Sequence, residues 1–261
     1  MNRWGDAATW VGEGLHREVF YFGPEKSRLY GSLYSAEPLS RHVGVVVCPS
    51  WGYEADRTER LAHRIALTAA QVGGAGMIFH YPGHGDSHGA SLADATLDSL
   101  ADAAACAIEE AARRRPAIAW FPVGLMIGAA VACIAQRRSA LATDRLLLVQ
   151  PELSPSAYFG RLAKSAQRVT LGSGRINEMS FAYPLPPKVL AAGTDSDAQV
   201  LDALDRFAGD GVVVRYANPP SDGTVPDTFT CLTVDGSWRF GAKDYPALEL
   251  GIEEWLAGPS L

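Results

Sequence analysis

The sequence predicts an α/β protein, a mostly parallel sheet with helices on both faces, and two observations carry this. Apolar runs without polar alternation recur at Val43 to Cys48, Ala75 to Phe79, Ala117 to Val123, Leu146 to Val149 and Lys188 to Ala192. Strands buried on both faces have this pattern. Between the runs lie Thr58 to Gln71, Leu92 to Arg113 and Ile127 to Arg137, where apolar residues fall three and four apart. That is the period of helices burying one side. Strand and helix therefore alternate, and alternation argues for a parallel sheet covered on both faces.

Ahead of the alternating part, Arg17 to Gly23 and Arg28 to Ser35 are aromatic-rich and flank Pro24-Glu25-Lys26. Two antiparallel strands joined by a short turn are expected to open the fold. Asp56 followed by Glu59 resembles a capping box, which makes Asp56 a helix N-cap, with a catalytic acid as the alternative. Residues 151–187 interrupt the alternation with a Ser-, Gly- and Pro-rich stretch around a short helical run, Ala157 to Ala166. A small cap or lid is expected there. Leu248, Ile252 and Leu256 then mark a final helix, Tyr245 to Ala257, stopped by Gly258-Pro259. One domain over 1–261 is the simplest organisation.

Of the 261 residues, 48% are hydrophobic and 20% charged, with a formal net charge of -6. No basic run exceeds Arg113-Arg114-Arg115, so nucleic acid is not an expected partner. The first residues lack the apolar core of a signal peptide, and no segment has the roughly 18 apolar residues of a bilayer span. The expectation is a cytoplasmic protein, monomer or homodimer, without a membrane partner. Cys48, Cys106, Cys133 and Cys231 are widely spaced, as buried thiols are, and suggest neither zinc nor disulfides. His80, His84 and His88 recur every four residues, but their Pro and Gly neighbours exclude the regular helix that would align them on a metal. No metal or cofactor is expected.

Three segments in order carry a resemblance. Val45-Val46-Val47-Cys48-Pro49-Ser50-Trp51-Gly52-Tyr53-Glu54 is a strand ending in a loop. Phe79-His80-Tyr81-Pro82-Gly83-His84-Gly85-Asp86-Ser87 is close to a D-x-x-G-x-G-x-S segment, with His80 in place of the aspartate. Gly124-Leu125-Met126-Ile127-Gly128-Ala129 is a Gly-x-nucleophile-x-Gly turn between strand and helix. Together they resemble the α/β-hydrolase superfamily, and the resemblance implies its fold over residues 17 to 257. Within the superfamily, the run Cys48 to Arg60 and the GLxxGA turn are most similar to bacterial exosortase-system-associated hydrolase-like proteins. A further similarity is to acetate-eliminating enzymes of tetronate polyketide biosynthesis.

Measured against that family, the covalent machinery is missing. The elbow apex is Met126, whose thioether has no proton to lose, so no acyl-enzyme forms there and Met126 lines an apolar pocket. The family histidine follows the last strand, yet no histidine follows His88; Asp235-Gly236-Ser237-Trp238 stands at the expected place. Asp195, in Gly193-Thr194-Asp195-Ser196-Asp197, is either the surviving acid or a turn and cap residue. Glu152, after the strand Leu146 to Val149, is a second place for an acid, or a surface or lid salt bridge.

An anion hole survives the loss of serine. The Ile127 amide at the helix start and an amide of the Ser50 to Tyr53 loop are its candidates. Trp51, Tyr53, Tyr81 and Trp238 are expected to form an aromatic rim suited to a largely apolar substrate. His80 and Glu54 are candidates for proton transfer at the carboxyl end of the sheet. The alternatives are that His80 bonds loop backbone and that Glu54 pairs with Arg57 or Arg60.

The leading functional expectation is a non-hydrolytic lyase or cyclase of bacterial specialised metabolism acting on an acylated, polyketide-derived small molecule and eliminating a carboxylate such as acetate. An ester or thioester hydrolase using directly activated water is the second, and a non-catalytic binding or scaffold protein the third.

Overall fold

A computed structural model describes residues 7–12, 14–89, 91–141, 143–164, 166–170, 176–180, 183–216, 229–234, 253, 255 and 256. Three antiparallel strands open it: β1 (Ala7–Gly12), β2 (Leu15–Phe22) and β3 (Leu29–Ala36). The expected hairpin is the second pair, and its turn is a short 3-10 helix, Glu25–Ser27. The alternating part follows as β4 (Val43–Cys48), α1 (Gly52–Gln71), β5 (Ala75–Phe79), α2 (Leu97–Arg114), β6 (Ala119–Leu125), α3 (Gly128–Arg138) and β7 (Arg145–Val149). Then come α4 (Pro155–Lys164), β8 (Gln167–Thr170), β9 (Ile176–Ser180), β10 (Tyr183–Pro184), α5 (Pro187–Ala192), α6 (Thr194–Asp205), β11 (Asp210–Tyr216) and β12 (Thr230–Val234).

Nine strands form one sheet in the order β1-β2-β3-β5-β4-β6-β7-β11-β12. From β5 to β12 every neighbouring pair is parallel. Alternation of side chains along each strand divides the core into two layers. Val45 and Val47 of β4 face Leu61, Ile65 and Ala69 of α1, while Val46 and Cys48 face the layer holding α2 and α3. Helices thus cover both faces, and the central strands β4, β5 and β7 are apolar on both sides. No helix of the described residues is long and apolar enough to cross a membrane.

Three local expectations change. Lys188 to Ala192 is not a strand but most of α5. Pro187 at the first helical position pre-sets the helical φ, and only Val189 in the run is β-branched. The strand beside β7 is instead β11, with three consecutive valines. Asp56 is not the cap of α1, because the chain turns helical at Gly52 and the N-cap is Trp51, which makes no side-chain cap bond. The real capping box opens α2, where Ser99 N–H donates to Thr96 Oγ1 at 3.0 Å and Thr96 N–H to Ser99 Oγ at 2.9 Å. A separate 3-10 turn, Leu92–Asp94, precedes it, so Leu92 lies outside the helix. The expected final helix lies outside the described residues apart from Glu253, Trp255 and Leu256.

Residues 151–187 hold α4 and a second sheet in the order β10-β9-β8. This insertion is tied to the main body: the Tyr183 hydroxyl donates to Asp56 of α1, and the Trp51 and Phe159 rings meet edge to face at 5.5 Å.

Candidate active site

The β6–α3 turn keeps the geometry of an elbow without its nucleophile. Met126 has φ 51°, in the left-handed region a non-glycine residue seldom adopts. Its amide donates to Val149 O at 3.0 Å, and its carbonyl accepts the amides of Ala129 and Glu152, each at 3.0 Å. The flanking glycines are sterically required. A Cβ on Gly124 would sit 2.3 Å from Ala129 Cα, and one on Gly128 would sit 2.4 Å from Cys48 O and 2.3 Å from Pro49 O. The turn is therefore pressed against the end of β4. Met126 and Ile127 are both buried, and the Ile127 amide stands at the start of α3, where a helix has no acceptor of its own for its first N–H groups.

Beside the elbow lies an acid held by two hydroxyls. Glu54, in the first turn of α1, accepts from Tyr158 at 2.7 Å and from Ser50 at 2.9 Å, both on Oε2. Burial raises its pKa above the ordinary carboxylate value, and the charge of Glu152 adds to this. The two hydroxyls and the Arg161 charge oppose the rise. Glu54 is thus turned inward, away from the pairing with Arg57 or Arg60 that its helical spacing offered; Arg57 lies over the Tyr53 ring, 5.7 Å from its centroid. Glu152, buried, is joined to Met126 through its amide and to Arg161 Nη2 through its carboxylate at 2.8 Å. Two carboxylates, one in the first turn of α1 and one in the segment between β7 and α4, therefore share the neighbourhood of the elbow.

Sequence reasoning missed Ser50, Tyr158 and Arg161. Ser50 and Glu54 are four apart across a helix start, and Tyr158 and Arg161 share one side of α4 three apart. Both spacings are visible in the sequence, but only docking of the insertion brings α4 to Glu54.

His80 belongs to a different cluster. Its Nδ1 accepts the Asp86 amide at 3.1 Å, its Nε2 lies 3.6 Å from Glu59 Oε1, and its ring stacks on Tyr30 at 4.8 Å. A neutral imidazole has one lone pair, and here the Asp86 amide occupies it. With Nδ1 accepting from loop backbone, the ring proton sits on Nε2, towards Glu59, so neutral His80 has no free lone pair with which to act as a base or ligate a metal. Burial and the neighbouring His84 lower its pKa, so the neutral form is favoured. His84 Nε2 lies 3.3 Å from Asp56 Oδ1.

The other expected site residues do not converge. Asp195 is exposed in the first turn of α6, following the helix α5 rather than a strand. Its neighbour Asp197 caps α4 instead, accepting Ser156 N–H at 2.9 Å and Ser154 Oγ–H at 3.0 Å. Residues 217–228 and Trp238 lie outside the described residues. Tyr81 is not on a rim: it is buried, with its hydroxyl donating to Pro49 O at 3.2 Å. Trp51 is buried too, while Tyr53 is exposed. Of the expected set, Glu54, Glu152, Trp51, Met126 and Ile127 come together.

No protein-family model matches the chain, and no curated protein matches it either. Solved structures do. Est1E from Butyrivibrio proteoclasticus with ferulic acid bound superposes with a TM-score of 0.64 at 14% identity, over 91% of this chain and 98% of that one. XC6422 from Xanthomonas campestris, described as an α/β serine hydrolase without lid, gives 0.58 at 14% identity over 92% and 94%. An α/β serine hydrolase homologue from Coxiella burnetii gives 0.57 at 12% identity over 92% and 95%. The chain has the α/β-hydrolase fold.

Proposed function

We propose that this chain, an α/β-hydrolase fold with methionine at the elbow, eliminates a carboxylate such as acetate from an acylated small molecule without a covalent intermediate. The observation that carries this is Glu54: a carboxyl beside the elbow, oriented by Tyr158 and Ser50 and held above its ordinary pKa by burial. A raised carboxylate pKa suits proton abstraction near neutral pH. In this mechanism Glu54 removes a proton beside an electron-withdrawing group, the C–H electrons form the new double bond, and the C–O bond breaks. The departing carboxylate takes that electron pair into the hole formed by the Ile127 amide and the Ser50 to Tyr53 loop. Glu152, paired with Arg161 at 2.8 Å, adds to the rise in Glu54 proton affinity that burial produces. An acylated, polyketide-derived tetronate of bacterial specialised metabolism is the substrate class proposed.

The test is incubation of the protein with an O-acetylated hydroxymethyl tetronate. Exocyclic alkene and acetate are expected, with the rate falling about 100-fold or more in Glu54→Gln, the usual scale for loss of a general base. Release of the intact alcohol would assign hydrolysis by directly activated water. No turnover, with Glu54→Gln silent in the cell, would assign a binding or scaffold role.

A further inference from the structure

Glu152 is buried, but its partner Arg161 is not: 49% of the Arg161 side chain meets solvent, against 6% of the Glu152 side chain. Glu152 holds one end of the guanidinium, through Nη2 at 2.8 Å. A guanidinium is a planar fork with more N–H donors than one such bond uses. Compensation of the buried Glu152 charge accounts for the pairing. It does not account for the donors left over.

The cation stands beside the proposed base. The Arg161 guanidinium carbon lies 5.9 Å from the centroid of the Tyr158 ring, and the hydroxyl of that same ring donates to Glu54 at 2.7 Å. One tyrosine ring thus separates them, and the Arg161 charge acts on Glu54, where it favours the ionised form. The pair is also fixed to the elbow, since the Glu152 amide donates to Met126 O at 3.0 Å. Glu54 is half-buried and Arg161 exposed, so a ligand arriving from solvent can meet both. Glu54 must be ionised to act as a base, and Glu152 is a second carboxylate beside it. A negatively charged substrate approaches such a place only where a cation offsets the repulsion.

We infer that Arg161 is the specificity-determining residue of this site and selects substrates that carry a delocalised oxyanion, the deprotonated β-dicarbonyl of an acidic enol. The inference rests on the proposed function for the place of the reacting carbon beside Glu54. A β-dicarbonyl anion spreads its charge over two coplanar oxygens, and a planar fork can meet two such oxygens at once. The tetronate ring proposed as substrate belongs to this class, because its enol is about as acidic as a carboxylic acid and is ionised near neutral pH. Left unpaired, that charge would repel Glu54 and oppose removal of a further proton from the same conjugated system. Pairing with Arg161 offsets the ring charge and restores the acidity of the C–H bond.

Binding tests this independently of turnover. In Glu54→Gln, which lacks the proposed base, tetronic acid and its neutral methyl enol ether are titrated near neutral pH as probes of similar shape and different charge. The Arg161 Nε–H signal is followed by nitrogen-15 NMR and identified by its loss in Arg161→Gln. The anion is expected to shift that signal and to bind about tenfold or more tightly than the ether, the scale of one charge-assisted hydrogen bond. Adding Arg161→Gln should bring the anion down to the affinity of the ether and leave the ether unchanged. Arg161→Lys, a point charge without the fork, should keep only part of the preference. Equal binding of the two probes, an Arg161 signal unmoved by the anion, or an undiminished preference in Arg161→Gln would each overturn the inference. Arg161→Gln alone leaves Glu152 buried and unpaired, so where that variant fails to fold, Glu152→Gln is combined with it to remove both charges. Loss of the Glu152 charge by itself favours an anion, so a preference lost in the combined variant assigns it to Arg161, and one undiminished there overturns the inference. An anion preference that depends on Arg161, without elimination activity, would leave this inference standing and remove the proposed reaction. Elimination with equal binding of the two probes would do the reverse.

Discussion

At the scale of single residues, Glu54 has opposing neighbours that can be changed one at a time. Its pKa is raised first by burial and then by Glu152, and lowered by the Tyr158 and Ser50 hydroxyls and by Arg161. A general base works only when ionised, so activity should appear as pH rises through that raised pKa. Tyr158→Phe removes a bond that favours the ionised form, and the acidic limb of kcat/KM should move to higher pH. Glu152→Gln removes a negative charge that disfavours it, and the limb should move to lower pH. Opposite displacements in the two pH profiles identify Glu54 as the titrating group; equal or absent displacements would assign the limb elsewhere. The site itself was half legible. Glu54 and Met126 stand in motifs, but Tyr158 is 104 residues from Glu54, and such a pairing is set by how the insertion docks rather than by local spacing.

At the scale of elements, the elbow depends on how closely α3 approaches the end of β4. Gly124→Ala would place a methyl 2.3 Å from the Ala129 backbone, and no rotamer relieves a clash with main chain. A loss of about 3 kcal/mol, or roughly 6–12 °C in Tm, is expected. Thr96→Ala, which removes half of the α2 capping box, should cost only about 1 kcal/mol by the same thermal measurement. β4 and β5 lie where the sequence places them because each run is apolar on both faces and closed by turn residues. Lys188 to Ala192 is ambiguous because four apolar residues behind a lysine fit a short helix as well as a strand. The Pro186-Pro187 pair ahead of it was the deciding signal. The acid is displaced with it: Asp195 follows the helix α5 rather than a strand and sits in the first turn of α6.

At the scale of the whole molecule, one buried histidine couples stability to pH. The Tyr34 hydroxyl and His63 Nδ1 are 2.8 Å apart across β3 and α1, and burial lowers the His63 pKa to about 4 from 6.5. The folded state thus binds fewer protons than the unfolded one between those values. Stability from the neutral ring is present above pH 6.5 and is lost as pH falls towards 4. His63→Gln keeps a polar partner for Tyr34 and cannot charge, so its Tm should fall less than that of the parent over this window. Parallel Tm curves would show that His63 does not carry the coupling.

The same whole-molecule view makes the catalytic claim testable in one measurement. The fold keeps an elbow turn but puts methionine where an acyl group would attach, and the chain has no histidine after His88. Reaction of the acetylated tetronate in oxygen-18 water should yield alkene with acetate free of label, and no acetylated protein by intact mass. Oxygen-18 in the acetate, or an acetyl adduct on the chain, would contradict elimination by Glu54.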